Sequence, residues 1–158
     1  MNKTAWNKGL KMTGRKKMKK YRHKKISEGF LNRIFSEWIR KRDMIKSPEF
    51  IGLSGDYCKC FTCDKIIAFK KQSQASHFIS RRYNATKYDP LNVHVCCIRC
   101  NMYEHGNQYV YSLKLDEKYG QGTAYSLYQK SLQPLKLDNK ERIKIRNLIL
   151  EWHTSINT

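Results

Sequence analysis

Two pairs of cysteines constrain the fold of this chain more than any other feature. Cys60 and Cys63 form one Cys-x-x-Cys pair, Cys97 and Cys100 form a second, and 33 residues separate the two pairs. Each pair can place two thiolates on one ion through a tight turn, and two pairs complete a tetrahedral shell of four sulfurs. Soft thiolates in that array suit Zn²⁺. The spacing therefore predicts a closed, structural zinc site that joins two segments distant in sequence.

The two remaining cysteines, Cys58 and Cys96, lie directly beside these pairs. Only Cys60 and Cys97 give the two-residue spacer, so we expect Cys58 and Cys96 to be small buried residues. A redox role for one pair would require a surrounding βαβ pattern, which the sequence lacks. No apolar run is long enough to span a bilayer, and the N-terminus has no apolar core of secretory type. We therefore expect a cytoplasmic protein whose cysteines bind metal, with no membrane partner.

The charge of the chain is large and unevenly distributed. Among 158 residues there are 32 Lys and Arg against 13 Asp and Glu, a net charge of +19. Residues 1–25 hold 11 of the basic residues and no acidic one, which leaves +8 for the rest. This asymmetry predicts a strongly basic arm attached to a less basic domain. It also predicts a polyanionic partner, for which DNA is the leading candidate. A solubilising tail, an anionic membrane surface and an RNA-binding zinc ribbon are the alternatives.

The arm contains a lone tryptophan, for which a solvated tail has no use. The run from Ala5 to Lys11, followed by Lys25-Ile26-Ser27-Glu28, resembles the nuclease-associated modular DNA-binding motif found beside the nuclease domains of homing endonucleases. The resemblance implies that residues 1–28 form an extended basic strip that contacts phosphates, with counterion release as the main binding term. The arm residues expected to contact DNA are Trp6, Asn7, Lys8, Lys11, Arg15, Lys16 and Lys17.

The rest of the chain has the periodicities of a mixed helix and strand domain. Apolar residues at three-to-four spacing predict a helix over 27–43, and residues 56–70 read as a hairpin with the first cysteine pair at its turn. Ser47-Pro48 marks a loop. A helical stretch follows Cys100, runs to about Lys118 and stops at Gly120. A further helix is expected within 122–131, and a capping box from Asp138 to Glu141 starts the last helix.

The residues between and after the cysteine pairs carry the expected chemistry. In order they are His77, Asn92 and the run Cys97-x-x-Cys100-Asn101-x-x-Glu104. This order resembles the HNH, or ββα-metal, nucleases built on a zinc-bound treble clef. The resemblance implies an α+β fold for residues 29–158, with a treble-clef core at about 56–118, flanking helices and the N-terminal arm. It further implies that His77 is the general base, that Asn92 orients His77, and that Asn101 binds a catalytic divalent ion.

The Asn-x-x-Glu run also looks like that of phage endonuclease VII. Its i, i+3 spacing would put Asn101 and Glu104 on one helix face, from which both could reach one Mg²⁺ or Mn²⁺ ion. One position departs from the HNH pattern, because Ser76 stands where many of these enzymes place an acidic ligand before the base. The ion would then rely on Asn101 and Glu104, with His94 or Asp89 as further candidates, and on waters and phosphate oxygens.

A closer resemblance covers roughly residues 30–150. It is carried by seven segments that occur in a fixed order: Phe35–Asp43, Cys60–Cys63, Ser76–Arg82, Asn92–His94, Cys97–Asn101, Gly106–Tyr109 and Leu115–Gly120. Together these segments resemble the phage NinG/Rap recombination proteins. The resemblance implies a phage-encoded DNA endonuclease that selects branched, Holliday-junction-like intermediates in the bacterial host. A homing-type enzyme acting on duplex DNA and a non-catalytic zinc-stabilised DNA binder are the alternatives, and a homodimer would suit the cutting of two strands.

Several side chains keep a second interpretation. Arg81 and Arg82 are expected beside the scissile phosphate, since guanidinium forks bind phosphate well, although they could be a solvated pair. Glu104 could form a salt bridge with Arg99 or Lys114, Asn92 could cap a turn, and His94 could be a packing residue. The tyrosines expected to be framework residues are Tyr83, Tyr88, Tyr103, Tyr109 and Tyr111.

Overall fold

Residues 25–45 and 56–156 are described by the computed structural model, and within them the chain forms helices and two small sheets. The basic arm up to residue 24, with all its expected DNA contacts, and the predicted loop at Ser47-Pro48 lie outside the described residues. The elements in chain order are α1 (Glu28–Arg42), β1 (Tyr57–Lys59), β2 (Ile66–Ala68), β3 (Ser73–His77), α2 (Asn84–Lys87), β4 (Val93–Cys97), a π-helix (Arg99–Tyr103), α3 (Gln108–Tyr119), α4 (Thr123–Ser131) and α5 (Asn139–Ile156). This content confirms the α+β class.

Two antiparallel hairpins carry the cysteine pairs. In the first, β1 pairs with β2 from Tyr57↔Ala68 to Lys59↔Ile66, and the turn between them holds the first pair, as predicted. Asp64 closes that turn with a positive φ of 60°. In the second, β3 pairs with β4 from Ser73↔Cys97 to His77↔Val93. The second hairpin therefore ends on the second cysteine pair at one end and on His77 at the other.

Helices α1 and α5 pack together beside the sheets. The Ser27 hydroxyl caps α1 by accepting from the Phe30 amide at 3.2 Å. The periodic apolar residues of α1 are buried, and Trp38 packs on Trp152 of α5 with ring centroids 4.9 Å apart. The Asp138 carboxylate accepts from the Glu141 amide at 2.9 Å, which is the predicted cap of α5. Among the described helices, none is long and apolar enough to cross a membrane.

The helical stretch after Cys100 is broken, where the sequence predicted one continuous helix. The π-helix ends at Tyr103, and α3 begins only at Gln108. His105, Gly106 and Asn107 have φ values of 49°, 85° and 47°, and this left-handed turn cannot continue a right-handed helix. A Cβ at Gly106 would lie 2.6 Å from Nε2 of Gln108. The Gly106-Asn107 dipeptide is the sequence signal from which this break could have been predicted, because Gly and Asn favour turns.

One ion pair joins the end of α1 to strand β4. The Arg42 guanidinium donates to both carboxylate oxygens of Asp43, at 2.7 and 3.0 Å. It also donates to the carbonyls of Pro90 and Val93, both at 2.8 Å. Asp43 in turn accepts from the Val95 amide at 2.9 Å. Because both side chains are mostly buried, with 20% and 13% of their surface exposed, this pair fixes where α1 meets the sheet.

We expect Asp43→Asn to lower the free energy of unfolding by about 2–3 kcal/mol, because it leaves the Arg42 charge without its partner and weakens the bond to Val95. The matched control is Glu37→Gln on the same helix, whose pair with Lys41 is solvent-exposed. That change should cost less than about 1 kcal/mol. Urea unfolding of the zinc-loaded protein measures both. Equal losses for the two variants would show that the Arg42–Asp43 pair has no special structural role.

Candidate metal centre and adjoining polar cleft

The four cysteines of the two pairs converge on one point. Their sulfur atoms all lie within 4.8 Å of one another, and the Sγ atoms of Cys63 and Cys97 are 3.9 Å apart. A tetrahedral shell with Zn–S bonds of about 2.3 Å requires sulfur–sulfur distances of about 3.8 Å. The donor set therefore fits one metal ion, and four thiols favour Zn²⁺.

Backbone amides support the same sulfurs. The Cys97 amide donates to Sγ of Cys60 at 3.3 Å, and the Cys100 amide donates to Sγ of Cys97 at 3.4 Å. Hydrogen bonds of this kind stabilise the thiolate form that a metal ion needs. Cys58 and Cys96 lie outside the cluster and are fully buried, as expected. Burial raises the pKa of the Cys58 thiol to about 12, so this group stays protonated.

A polar cleft of about 410 Å³ brings together residues from four parts of the chain, among them Asn101, which directly follows Cys100. We call it the His77 cleft. Three of the residues predicted from the sequence, His77, Arg81 and Asn101, line it together. Among the described residues, those that line it are Ser36, Arg40, Gln74, Ala75, His77, Ser80, Arg81 and Asn101. The second hairpin thus ends in a site that α1 and the π-helix complete.

The imidazole of His77 has a defined hydrogen bond and a lowered pKa. Its Nε2 lies 3.1 Å from the carbonyl oxygen of Lys87. A carbonyl only accepts, so Nε2 carries the hydrogen and donates it. Burial, opposed by this bond and assisted by the Arg81 charge, lowers the pKa of His77 to about 4. The ring is therefore neutral at pH 7, and Nδ1 is its proton acceptor.

Asn92 acts on the backbone near His77 and makes no hydrogen bond to the ring in the described part of the chain. It is fully buried, and its Oδ1 accepts from the Ile79 amide at 2.6 Å. Its Nδ2 donates to the carbonyls of Ile79 and Thr86, at 3.0 and 2.9 Å. Thr86 directly precedes Lys87, the partner of His77. Asn92 thus holds the segment that contains Lys87, whose carbonyl oxygen accepts from the imidazole.

Asn101 and Glu104 line different cavities. The Asn101 amide lies in the His77 cleft and donates to Oε1 of Gln74 at 2.5 Å. Glu104 lines a separate cavity beside the cysteines and accepts from Arg99 at 2.7 Å, which is the alternative salt bridge. The expectation of one shared face assumed an α-helix. A π-helix is hydrogen-bonded between residues i and i+5 and has wider turns than an α-helix, so side chains three residues apart do not lie above one another.

The further ligand candidates lie outside the His77 cleft. His94 is fully buried, with its ring nitrogens 3.2 and 2.7 Å from the hydroxyls of Tyr111 and Tyr119, and its ring stacks on Phe61 at 4.0 Å. Burial lowers the pKa of His94 to about 3, so it is a neutral core residue. The Asp89 carboxylate accepts from Lys130 at 2.6 Å.

The position that departs from the HNH pattern is also buried. Ser76 is 1% exposed and does not line the cleft. It therefore offers the cleft no ligand atom in place of the missing carboxylate.

Five lining residues were missed from the sequence, namely Ser36, Arg40, Gln74, Ala75 and Ser80. Ser36 and Arg40 read as part of the polar side of α1, and only the fold brings that side to His77. Arg82 is exposed and does not line the cleft. Among the tyrosines, Tyr88 and Tyr111 are buried framework residues as expected. The same expectation is wrong for Tyr83, Tyr103 and Tyr109, which are 45%, 76% and 75% exposed.

Fold and site together define a small α+β protein with a four-cysteine metal centre beside a polar, basic cleft. The chain belongs to the NinG family, since it matches the family described as Bacteriophage Lambda NinG protein over residues 2–154. This family is associated with phage recombination. No curated protein and no solved structure matches the chain. The family resemblance predicted from the sequence is thereby confirmed.

We expect the purified protein to hold one Zn²⁺ per chain, and Cys63→Ser or Cys100→Ser to lose it and unfold, because three thiolates leave the shell open. Cys58→Ala is the matched control, since this thiol is buried in β1 outside the cluster. It should retain one zinc. Elemental analysis and circular dichroism measure both properties. Full zinc occupancy in Cys100→Ser would contradict the four-sulfur site.

Proposed function

We propose that this protein is a metal-dependent DNA endonuclease of the HNH type that hydrolyses phosphodiester bonds in branched recombination intermediates. One observation carries the proposal: His77, Arg81 and Asn101, chosen from their order in the sequence, line a single cleft. Such a cleft offers a base, a cation and an oxygen ligand within one small volume. These are the groups that hydrolysis of a phosphodiester requires.

The arrangement of the elements supports the same family of folds. A cysteine turn in the first hairpin is followed by a second hairpin and then by a helical turn that starts at the second cysteine pair. This is the chain order of a zinc-bound treble clef with a ββα-metal site. In that arrangement the zinc has all four positions closed, so its role is to hold the two cysteine segments in register.

In the proposed reaction Nδ1 of His77 takes a proton from water while the oxygen of that water attacks phosphorus. The bond to the departing 3′ oxygen breaks in line with the attack, and the proton acceptor must be neutral beforehand, as the pKa of about 4 provides. Arg81 balances the charge of the phosphate. A divalent ion, when bound, stabilises charge on the leaving oxygen, and Asn101 would hold it in a shell otherwise made of water and phosphate oxygens.

The choice of substrate rests on the family and on the charge. The family is associated with phage recombination, which favours branched DNA in the host cytoplasm as the substrate. Eleven basic residues in the first 25 favour an arm that holds the adjoining duplex. A homing-type enzyme that cuts linear duplex would share the basic arm but not the association with recombination.

A non-catalytic DNA-binding protein is the second candidate function, and a specific observation favours it. Among the residues that the structure describes, no carboxylate lines the His77 cleft. In the part of the chain that the structure describes, the four cysteines are the sole group of three or more His, Cys, Asp or Glu side chains placed to hold a metal ion. A catalytic ion would therefore have few protein ligands.

The test is cleavage of a four-way junction and of a linear duplex of the same sequence, with Mg²⁺, Mn²⁺ or no added divalent ion. We expect metal-dependent cuts near the junction and little cutting of the duplex. His77→Ala should lower the rate by about 10²–10⁴-fold, as loss of a general base does, and leave DNA affinity unchanged. His94→Gln is the matched control, because this histidine lies outside the cleft.

Each other outcome selects a different conclusion. Binding without cuts on either substrate would favour the non-catalytic protein, and equal cutting of both substrates would favour the homing-type enzyme. Cleavage by purified His77→Ala at the rate of the unaltered protein would remove His77 from the mechanism.

The pH dependence follows from the neutral imidazole. An ordinary histidine, with a pKa of about 6.5, would gain a proton and lose its basic function as the pH falls from 7 to 6. Because burial lowers the pKa of His77 to about 4, the base stays deprotonated over this interval. We therefore expect the single-turnover cleavage rate to be flat between pH 8 and pH 6. A half-maximal rate near pH 6.5 would contradict the assignment.

A further inference from the structure

Helix α1 ends in three consecutive basic residues, and two of them have acidic partners. Arg42 is fixed by Asp43, and Lys41 pairs with Glu37 at 3.0 Å. Arg40 forms no salt bridge with any acidic side chain in ranges 25–45 and 56–156. Its side chain lines the His77 cleft instead. Cations favour the end of a helix in general, but that preference applies to all three residues and does not explain why Arg40 lines the cleft.

The cleft contains a second guanidinium, and none of its described lining residues is acidic. Arg81 lines it together with Arg40, and the other polar lining residues besides His77 are Ser36, Gln74, Ser80 and Asn101. Their hydroxyls and amides are uncharged, and His77 is neutral at pH 7. Two like charges in one cleft repel each other, and this repulsion is relieved when an oxyanion binds both. The cleft therefore has the charge of an anion site before any divalent ion enters.

We infer that Arg40 and Arg81 together bind one phosphate group of the DNA backbone, and that this site fills without a divalent ion. The inference rests on the proposed function, since the phosphate in question is the one beside His77. It assigns a substrate-binding role to α1, which lies outside the zinc core. It also makes DNA the source of the missing metal ligands, because phosphate oxygens enter the cleft first.

The salt dependence of DNA binding tests this inference. Each phosphate contact contributes about 0.9 to the slope of log Kd against log salt concentration on duplex DNA. Zinc-loaded full-length protein is titrated against a labelled duplex by fluorescence anisotropy, with no divalent ion added. We expect Arg40→Gln to reduce the slope, and the double variant Arg40→Gln/Arg81→Gln to reduce it by about 0.9 in total, because both arginines contact the same phosphate.

The matched control is Arg33→Gln on the same helix. Arg33 is exposed, its guanidinium lies over the Phe30 ring at 5.5 Å, and it does not line the cleft, so we expect an unchanged slope. An unchanged slope in Arg40→Gln, or an equal reduction in Arg33→Gln, would overturn the inference. Binding is measured independently of cleavage. If the slopes differ from those expected while the unaltered protein cuts DNA, the inference fails and the proposed function stands. Absence of cutting by a protein that gives the expected slopes would instead count against the proposed function.

If Arg40→Gln loses its zinc or unfolds, Arg40→Lys tests instead whether Arg40 binds the phosphate. Lysine keeps the charge but cannot form the forked pair of hydrogen bonds. We expect the slope to be retained and junction cleavage to fall by about tenfold, the equivalent of one charge-assisted hydrogen bond. An unchanged cleavage rate in Arg40→Lys would show that Arg40 does not position the phosphate.

Discussion

The convergence of four cysteine sulfurs is the constraint on which the rest of the structure depends. The sheets are short, with strands of three to five residues, and such small sheets are marginal without a further constraint. A metal ion on Cys60, Cys63, Cys97 and Cys100 would fix the turn of the first hairpin against the end of the second. Since β3 pairs with β4 along its whole length, the position of His77 follows from the position of Cys97.

A second constraint brings the helices to this core. The Arg42–Asp43 pair bonds to backbone groups of the segment from Pro90 to Val95, so the end of α1 is held against β4. Arg40 lies only two residues before Arg42 in the same helix. The contact of Arg42 with β4 therefore also sets the distance from α1 to His77. A structural ion pair on one side of α1 thus places on the other side Arg40, which forms no salt bridge within the described residues.

The metal centre and most element positions could be predicted from the sequence, because they depend on local spacing. Two cysteine pairs, a hairpin turn and a capping box are each complete within a few residues. The path after Cys100 could not be predicted, because a π-helix and a left-handed turn interrupt a stretch with ordinary helical composition. This difference separated Glu104 from Asn101. Arg40 was missed for another reason, since its role depends on contact between segments that are distant in sequence.

The electrostatics of the cleft connect its parts. Burial and the nearby Arg81 charge lower the pKa of His77. Under the proposed function, the guanidinium of Arg81 would therefore both attract a phosphate and help to keep the base deprotonated. Holding two guanidiniums near each other costs free energy, and rigid supports offset it: the Arg42–Asp43 pair for α1, and buried Asn92 for the segment after β3. A phosphate in the cleft would relieve the repulsion and supply oxygen ligands that the protein lacks. The absence of a carboxylate at Ser76 is then consistent with a site whose metal affinity depends on bound DNA.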